Sequence, residues 1–346
     1  MPDDAPVDVS VLVPAYNHEP YVEACLDSVL AQRFDGTLEV VVGEDHSPDG
    51  TLAVVRSVAA RDPRVRVVTD DRNVGMHANN SRLLRAARGR YVAYCEGDDL
   101  WHDPTKLQQQ VAHLEAHPEL SGVHSDVDHL VGTRRGWVRR VGVWSAAAPD
   151  RRPVTTLEDL LRRNVVQTCS VVMRREAIVD YPDSALAAAT YAVEDWPMFL
   201  HATSRGPLGL LDASLATYRR VEGSVTNAGA DANHRRIADQ LRMLTDAAAL
   251  HPDLAAAAQE GLTRTVDDLV LHAVLAGRRD LLQRALVAAD ERLRNPTAST
   301  RAGRVLAAVP GLLAFVAATG RMVLAVARLR AYRRDVRATP DGGPDE

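Results

Sequence analysis

A strand-like run, a polar loop and a helix-like segment follow one another repeatedly in the N-terminal part of the chain, and this repeat constrains the fold more than any other feature. The strand-like runs are Val9–Pro14, Leu38–Gly43, Val65–Val68 and Tyr91–Cys95. Strands that alternate with helices at a spacing of about thirty residues are typical of βαβ units and a parallel sheet. The repeat therefore predicts an α/β fold.

The polar loops all follow the carboxyl ends of the predicted strands. They comprise residues 14–19, 43–50, 73–82 and 95–101. Because ligands of open α/β sheets bind beyond the carboxyl ends of the strands, we expect these loops to line one cleft. Asp45 and Asp98 would then be neighbours in space despite the sequence between them.

The loop after the fourth strand is acidic. Tyr91–Trp101 reads YVAYCEGDDLW, so Glu96, Asp98 and Asp99 follow the strand directly. Carboxylates this close repel one another, and a neighbouring cation explains such a cluster. Oxygen ligands suit Mn²⁺ or Mg²⁺, whose shells substrate phosphates and water commonly complete. The cluster indicates a metal-diphosphate site, and the alternative is an acidic turn that caps the helix beginning at Pro104.

Composition and charge narrow the classes of function. The chain has 346 residues, of which 46% are apolar, enough for one large domain or two ordinary ones. Its net charge of -5 gives no indication of a nucleic-acid partner. Cys25, Cys95 and Cys169 lack CxxC spacing, which favours buried thiols in a reducing compartment. The first ten residues lack the features of a secretory signal, so we expect a cytoplasmic location.

The pattern changes after Trp101. It predicts helices over Lys106–Ala116, Leu157–Arg163 and Val193–Ala202, antiparallel strands over residues 122–145, and a strand over Thr168–Met173. Helical spacing then continues almost throughout, with helices predicted at about residues 234–250, 254–277 and 278–294. We expect a domain boundary near residues 228–234. The expected division is an α/β domain over residues 1–228, a helical domain over 229–300, and a basic apolar helix with a flexible tail over 301–346.

The C-terminal segment combines an uncharged run with many arginines. Val305–Gly320 carries no charge, and residues 301–337 hold eight arginines against one aspartate. Pro310 interrupts the run before it reaches the roughly twenty apolar residues that a membrane span needs, so we expect no full span. Two interpretations stay open: a helix that packs or forms a homodimer face, and a segment that lies peripherally on the inner face of an anionic membrane.

Four motifs give the chain a resemblance to the family 2 glycosyltransferases of the GT-A fold, an inverting class that uses nucleotide-diphosphate sugars. The motifs are Val13-Pro14-Ala15-Tyr16-Asn17, the Glu44–Thr51 loop similar to D-D-x-S-x-D-G-T, Asn73-Val74-Gly75 with Asn79 and Arg82, and CEGDDLWHDPTKLQQQV, similar to an E-G-D-D subgroup. The resemblance covers about residues 7–225. It implies a Rossmann-related mixed sheet flanked by helices, with a nucleotide-sugar half at about 7–101 and an acceptor half at about 102–228.

The resemblance implies a role for each matched residue. Asp45 would bind the nucleotide base, most often uracil, and Asp98 would face the ribose or the water shell of the metal. Asp99 would ligate a divalent cation, Mn²⁺ or Mg²⁺, and Asp195 of the Glu194-Asp195-Trp196 motif would be the general base. The expected nucleotide-sugar-binding residues are Pro14, Ala15, Tyr16, Asn17, Glu19, Asp45, Asn73, Gly75, Arg82, Glu96 and Asp98.

One motif departs from the family pattern. The family often has tyrosine-arginine-x-histidine after this helix, whereas the chain reads Tyr218-Arg219-Arg220-Val221, with valine at the histidine position. Arginine would supply positive charge for phosphate, since guanidinium suits its oxygens, or the site would depend more heavily on its metal. The candidate acceptor or phosphate residues are Glu194, Trp196, Arg219 and Arg220.

These motifs predict metal-assisted transfer of a sugar from a nucleotide-diphosphate donor, UDP-linked by expectation, to a hydroxyl group. The acceptor would be a glycan, a lipid-linked molecule or a small molecule. A nucleotidyltransferase is disfavoured, because Pro14–Pro20 is not a glycine-rich and basic phosphate loop. An inactive GT-A-like scaffold that binds partners through its helical C-terminal region is the remaining alternative.

Overall fold

A computed structural model describes residues 6–133, 136–142, 152–221, 229–293, 295–309, 311–320 and 322. The strands are β1 (Val9–Ala15), β2 (Leu38–Glu44), β3 (Val65–Thr69), β4 (Tyr91–Tyr94), β5 (Gly122–Thr133), β6 (Gly136–Arg140), β7 (Val154–Thr155), β8 (Val172–Arg174) and β9 (Leu208–Arg220). The helices are α1 (Val22–Leu30), α2 (Thr51–Arg61), α3 (Met76–Ala86), α4 (Lys106–Ala116), α5 (Leu157–Arg162), α6 (Ala185–Ala188), α7 (Asp195–Thr203), α8 (Ala230–Leu250), α9 (Ala255–Ala276), α10 (Arg279–Arg292) and α11 (Ala298–Ala308).

The strands form one nine-stranded mixed sheet in the order β3-β2-β1-β4-β8-β5-β9-β7, with β6 paired to β5. The first four strands in this order are mutually parallel, and Leu12 pairs with both Val41 and Tyr94. These strands are rich in buried β-branched residues because helices cover both faces of a parallel sheet. The predicted α/β fold is confirmed, and the four N-terminal strands lie within one residue of their predicted bounds.

Strand β8 reverses the direction of the sheet. It pairs antiparallel with β4, with Val172 opposite Ala93. Its start therefore lies at the carboxyl end of β4, beside the polar loops. The strand predicted over Thr168–Met173 is only partly correct, since Thr168–Ser170 forms a 3-10 turn before the strand begins at Val172.

Strand β5 has two kinds of neighbour. It forms the predicted antiparallel pair with β6, and it also pairs in parallel with β9, with a register shift at Asp126. A pattern of alternating residues cannot distinguish these two pairings, because both expose alternate side chains. The remainder of the antiparallel segment predicted to residue 145 lies outside the described part of the chain.

The C-terminal helices pack against the sheet region. Helices α8, α9 and α10 confirm the three predicted helices to within a few residues. Met243 and Ala257 belong to the same buried cluster as Tyr181 and Phe199. A methyl group on Gly261 of α9 would lie 2.0 Å from the carbonyl oxygen of Leu161, so only glycine allows this approach to α5. The boundary predicted near residues 228–234 overlaps the start of α8 at Ala230, and the regions on its two sides share a core.

The last described segment is helical over residues 312–320. Leu313 and Ala317 are buried against the other C-terminal helices, whereas Phe315 is exposed. Among the helices that the structure describes, none has the length and apolar character that crossing a membrane requires. The arginine-rich part of the predicted tail, residues 323–346, lies outside the described residues.

The buried carboxylate of Glu39 links strands β1, β2 and β3. Glu39 of β2 is 1% exposed and accepts hydrogen bonds from Ser10 Oγ at 2.6 Å, Arg66 Nη1 at 2.8 Å and Arg88 Nη2 at 2.8 Å. Burial alone would raise the pKa of Glu39, but these hydrogen bonds outweigh it and lower the pKa below its ordinary value. The ionised carboxylate therefore stabilises the folded state.

We expect Glu39→Gln to lower the free energy of unfolding by about 2–4 kcal/mol at pH 7, because two arginines lose their charge partner. Urea unfolding measures this difference. Because the folded-state pKa is lowered, the stabilisation is present above the unfolded-state pKa and is lost as the pH falls through the folded-state pKa, so the two proteins should converge in acid.

The matched control for this prediction is Glu23→Gln, whose ion pair with Arg61 is more than half exposed on both sides. We expect this variant to lie within about 0.5 kcal/mol of the wild type. Equal stability of the Glu39 and Glu23 variants would contradict a stabilising role for the buried network.

Candidate functional site

Hydrogen bonds join the polar loops at the carboxyl ends of β1, β2 and β4. The Asn17 amide donates to Ser47 Oγ at 3.0 Å, and the Gly97 amide donates to the Pro14 carbonyl at 3.0 Å. Glu19 Oε2 accepts from the Gly50 amide at 2.8 Å. The prediction that these loops share one edge of the sheet is confirmed.

Asp45 organises the loop that follows β3. It is 3% exposed, and its two oxygens accept from the amides of Val74 at 2.8 Å and Gly75 at 2.9 Å. Asn73 Nδ2 donates to the Asp45 carbonyl at 3.0 Å. Gly75 has φ +85°, a region that glycine adopts readily. The structure thus brings three predicted site residues together, and the expected contact of Asp45 with a nucleotide base stays a prediction.

Other predicted donor-site residues divide between the surface and the loop framework. The Tyr16 ring is 42% exposed on the first loop. Arg82 Nη2 donates to Asn79 Oδ1 at 2.7 Å and to the Glu44 carbonyl at 3.3 Å. Arg82 and Glu19 therefore hold the loops in place, whereas the Tyr16 side chain lies at the surface.

The acidic residues after β4 occupy different environments. Asp99 is 1% exposed, and its Oδ1 accepts from the Arg219 amide at 2.8 Å. The Asp98 side chain is 16% exposed, with its Oδ1 3.9 Å from His18 Nε2. Glu96 Oε2 is a buried oxygen without a hydrogen-bond partner. Asp98 is therefore the aspartate of this pair that reaches the cleft.

Mutual repulsion and loss of hydration perturb these carboxylates. Burial, followed by the charges of Asp98 and Asp195, raises the pKa of Glu96 to about 7. Burial and the charges of Asp98 and Glu96 raise the pKa of Asp99 well above its ordinary value. The free protein thus holds negative charge at this edge at an energetic cost, which a cation would relieve.

The first loop faces this cluster through His18. A methyl group on Gly97 would lie 2.7 Å from His18 Nδ1, so the absence of a side chain at Gly97 gives the imidazole its place. Nδ1 itself is buried without a hydrogen-bond partner. His18 was not among the predicted site residues, because the polar sequence of the loop is equally suited to capping α1.

Asp195 joins the same cluster through Thr168. It is the first residue of α7, where the helix dipole favours a negative charge. Thr168 Oγ1 donates to Asp195 Oδ2 at 3.1 Å and also interacts with Glu96. Burial raises the pKa of Asp195, although the Trp196 amide, the Thr168 hydroxyl and Arg236 oppose the increase. Carboxylates from two distant motifs thus lie in one cleft.

Thr168 was missed because its position depends on the antiparallel pairing of β8 with β4. The only local signal was the polar sequence Thr168-Cys169-Ser170 within an otherwise apolar run. In sequence, such a run resembles a buried strand. Only the tertiary structure shows that the run begins at the edge of the sheet that carries the site.

The other residues of the predicted acceptor motif face α3 and the core. Glu194 Oε1 accepts from Asn80 Nδ2 at 2.7 Å, and its Oε2 contacts His77 Nδ1. Trp196 is almost fully buried, and its Nε1 donates to the Leu160 carbonyl at 3.0 Å. Glu194 therefore anchors the start of α7, and the indole of Trp196 packs in the core rather than in the cleft.

The two arginines at the end of β9 differ in their surroundings. Arg219 is nearly buried, its Nη1 donates to the Asp98 carbonyl at 2.8 Å, and its guanidinium lies 4.9 Å from the centre of the Tyr21 ring. Arg220 is exposed. Arg219 therefore fixes the Asp98–Asp99 turn with both its amide and its side chain.

The donor set of this cluster suits a hard divalent cation. Ligand atoms of Glu96, Asp99 and Cys169 lie within 4.8 Å of one another. Burial raises the pKa of the Cys169 thiol well above its ordinary value. The carboxylate oxygens fit Mg²⁺ or Mn²⁺, and the unpartnered Glu96 oxygen is available to such an ion.

The fold and the site define a glycosyltransferase domain, and comparison with known families agrees. Residues 10–181 match the model of the family described as Glycosyl transferase family 2. Through this region the chain belongs to glycosyl transferase family 2.

Individual relatives extend the comparison beyond this region. An uncharacterized protein of Mycobacterium tuberculosis is 35% identical over 217 residues, which cover 61% of this chain and 58% of that protein. The chain thus spans less than two thirds of the length of this relative.

Two solved structures share the fold. TarS 1–349 of S. aureus in complex with UDP-GlcNAc has a TM-score of 0.59 at 18% identity, covering 91% of this chain and 92% of that one. The mannosyltransferase PcManGT of Pyrobaculum calidifontis in complex with GDP-Man and Mn²⁺ has a TM-score of 0.56 at 19% identity, covering 94% and 89%. These likenesses confirm the predicted GT-A-like fold.

The loop after β3 gives a direct test of the role of Asp45. We expect Asp45→Ala to speed hydrogen exchange at the Val74 and Gly75 amides by about 10–100-fold, because both amides lose their acceptor. Exchange measured by NMR or mass spectrometry reports this change. Asp71→Ala, at an exposed position beside the same loop, is the control and should leave the exchange unchanged. Unchanged protection in the Asp45 variant would contradict the assigned contacts.

Proposed function

We propose that the protein is an inverting glycosyltransferase that moves a sugar from a nucleotide-diphosphate donor, UDP-linked, to a hydroxyl of a glycan, lipid-linked or small-molecule acceptor. The observation that carries this proposal is the proximity of Asp195 of α7 to the acidic cluster: Thr168 Oγ1 donates to Asp195 Oδ2 at 3.1 Å, and the charges of Asp98 and Asp195 both act on Glu96. Single displacement needs charge stabilisation at the leaving group and a proton acceptor for the incoming hydroxyl. This cleft contains a candidate for each.

The donor half of the proposal rests on the joined loops. The exposed residues Tyr16 and Asn17 lie beside the loop that Asp45 holds, whereas Ala15 between Pro14 and Tyr16 is buried. The solved relatives TarS and PcManGT bind UDP-GlcNAc and GDP-Man respectively, which supports a nucleotide sugar as the ligand of this cleft. We assign the nucleotide base of the donor to the Asp45 loop and the diphosphate of the donor to the acidic cluster.

The ligand atoms grouped within 4.8 Å belong to Glu96, Asp99 and Cys169, but we propose that Asp98, which reaches the cleft, holds a divalent cation together with Glu96. Asp99, which the motif comparison assigns to the metal, has its Oδ1 occupied by the Arg219 amide and is closed off from solvent. We therefore move the proposed metal contact to Asp98 and give Asp99 the role of fixing the turn. When bound, the cation would stabilise the negative charge that develops on the leaving diphosphate.

Asp195 is the proposed general base. Its carboxylate is oriented by the Thr168 hydroxyl and by the Trp196 amide, which donates to Oδ1 at 2.7 Å. Partial burial raises its pKa, which makes the carboxylate a better proton acceptor near neutral pH. Glu194, held by Asn80 and His77, keeps the start of α7 in position. A cytoplasmic location is part of the same proposal.

The metal assignment predicts different effects for two neighbouring isosteric variants. We expect Asp98→Asn to weaken Mn²⁺-dependent binding of UDP about 100-fold, because a hard cation loses its anionic ligand. Asp99→Asn keeps an oxygen that can accept the Arg219 amide, so its affinity should stay within about threefold of the wild type. Calorimetry with Mn²⁺, and with EDTA as a blank, measures both.

Two outcomes would count against this assignment. If Asp99→Asn weakened the Mn²⁺-dependent binding of UDP and Asp98→Asn left it unchanged, the metal contact would be reassigned to Asp99. Metal-independent binding, or no binding of either UDP or GDP, would argue against metal-assisted transfer and favour the inactive scaffold.

The assignment of Asp195 as the general base predicts that replacing its carboxylate lowers turnover and leaves donor binding unchanged. We expect Asp195→Asn to lower kcat for release of the nucleotide by about 10²–10⁴-fold, with UDP affinity unchanged. Because the base must be deprotonated and its pKa is raised, the wild-type kcat/KM should fall with decreasing pH, beginning above the ordinary aspartate pKa of about 4. Asp183→Asn, at an exposed position, is the control. Full activity of the Asp195 variant would remove this role.

A further inference from the structure

A large aromatic side chain lies exposed beside the acidic turn. Trp137 is 48% exposed although it belongs to strand β6. The guanidinium of Arg219 lies 5.9 Å from the centre of the indole ring, and the Tyr21 ring meets the indole at nearly a right angle with centres 6.5 Å apart. Because Arg219 Nη1 also donates to the Asp98 carbonyl at 2.8 Å, a single side chain connects the indole to the acidic turn.

The pairing of the strands sets the side of the sheet on which the indole lies. Trp137 of β6 pairs with Gly132 of β5, and Leu130, two residues earlier on β5, pairs with Arg219 of β9. Alternate residues of a strand and their cross-strand partners share one face of a sheet, so Trp137 and Arg219 leave the same face. A slip of one residue in the β5–β6 pairing would turn the indole away from the acidic turn.

Packing accounts for only part of the indole surface. A methyl group on Gly132 would lie 3.4 Å from Cζ3 of Trp137, an ordinary contact distance, so the ring covers the glycine backbone. Covering a glycine across two strands is a structural use of an aromatic residue. It leaves about half of a large apolar ring in contact with water, and exposed aromatic surface beside a cleft favours a ligand that packs on it.

Polar groups lie next to the exposed ring. Arg139 follows Trp137 by two residues on β6, so it leaves the same face, and its side chain is 51% exposed. Its Nε donates at 2.6 Å to Oδ2 of Asp128, which is fully buried. The ion pair fixes the orientation of the planar guanidinium, which has further N–H groups to donate to a ligand.

The order of the strands separates this surface from the loop that Asp45 holds. Strand β4, which leads into the acidic cluster, lies between β2, which leads into Asp45, and the β5–β6 pair, which carries Trp137. A donor with its nucleotide base at Asp45 and its diphosphate at the acidic cluster therefore has Trp137 on the far side of the diphosphate. That is the side on which an acceptor meets the transferred sugar.

We propose that Trp137 is a stacking platform for a pyranose ring of the acceptor, so that the acceptor of this enzyme is a carbohydrate. A pyranose packs the C–H groups of one face on an aromatic ring, while its hydroxyls need hydrogen-bond donors of the kind that Arg139 supplies. This inference rests on the proposed function, because it takes the donor to occupy the Asp45 loop and the acidic cluster.

The test measures binding of the methyl glycosides of glucose, galactose, mannose and N-acetylglucosamine to the full chain saturated with UDP and Mn²⁺. Titration by saturation-transfer NMR gives each affinity. We expect the wild type to bind at least one glycoside, and Trp137→Ala to weaken that binding at least about tenfold, because the platform is lost. Phe315→Ala removes an aromatic side chain that is 69% exposed on the C-terminal helices, and should respond like the wild type.

Two further variants separate stacking from folding and from general apolar contact. Trp137→Phe keeps a flat ring and should retain the glycoside affinity within about threefold, whereas Trp137→Leu should lose it as Trp137→Ala does. Because Trp137 is half-exposed, all three variants should keep their Tm within about 3 °C and their Mn²⁺-dependent affinity for UDP within about threefold of the wild type. A larger fall in Tm in all three would indicate a structural role and overturn the inference.

The remaining outcomes are also decisive. A wild type that binds none of the glycosides, or equal affinities in Trp137→Phe and Trp137→Leu, would overturn the proposal. If Trp137→Ala weakened binding of UDP-glucose or UDP-N-acetylglucosamine but not of UDP, the ring would be assigned to the transferred sugar, and the acceptor proposal would fall. Failure of the proposed function would appear separately, as the absence of Mn²⁺-dependent binding of UDP itself.

Discussion

Crowding of carboxylates at the carboxyl end of β4 is the constraint on which the site depends. Glu96, Asp98 and Asp99 leave one strand together, and Asp195 meets them from α7. The fold opposes their repulsion with donors from several elements, including the Arg219 amide and the Thr168 hydroxyl. The protein therefore spends stability to preserve an arrangement that favours a cation and a proton acceptor in one cleft.

The sheet topology makes this arrangement available. Parallel pairing of β1, β2 and β4 brings the donor-side loops to one edge. The antiparallel strand β8 then delivers the turn before it, with Thr168, to that same edge. Strand β9 runs parallel to β5 and ends there as well, which places Arg219 over the Asp98–Asp99 turn. The parallel half of the sheet thus supplies the acidic cluster, and the half around β8 and β9 supplies Thr168 and Arg219 beside it.

Local pattern was sufficient for the N-terminal half and insufficient for contacts between distant elements. Strands β1 to β4 and their loops were predictable because apolar periodicity and loop polarity are encoded within each βαβ unit. Thr168, His77 and Arg236 were not, because their places depend on strand direction and on helix packing, across more than a hundred residues in the case of His77. The burial of Trp196 and Asp99 was likewise invisible, since an acidic or aromatic motif residue looks the same whether it faces the cleft or the core.

The core shared by α8, α9 and the segment around Tyr181 and Phe199 has a consequence for recombining this chain with its relatives. Gly261 presses α9 against the Leu161 carbonyl, so the helices cannot be exchanged as an independent cassette without repacking α5 and α7. Recombination between relatives should therefore succeed when the crossover precedes α5 and fail when it falls at the loop before α8. In this chain the boundary visible in the sequence does not separate two independently packed units.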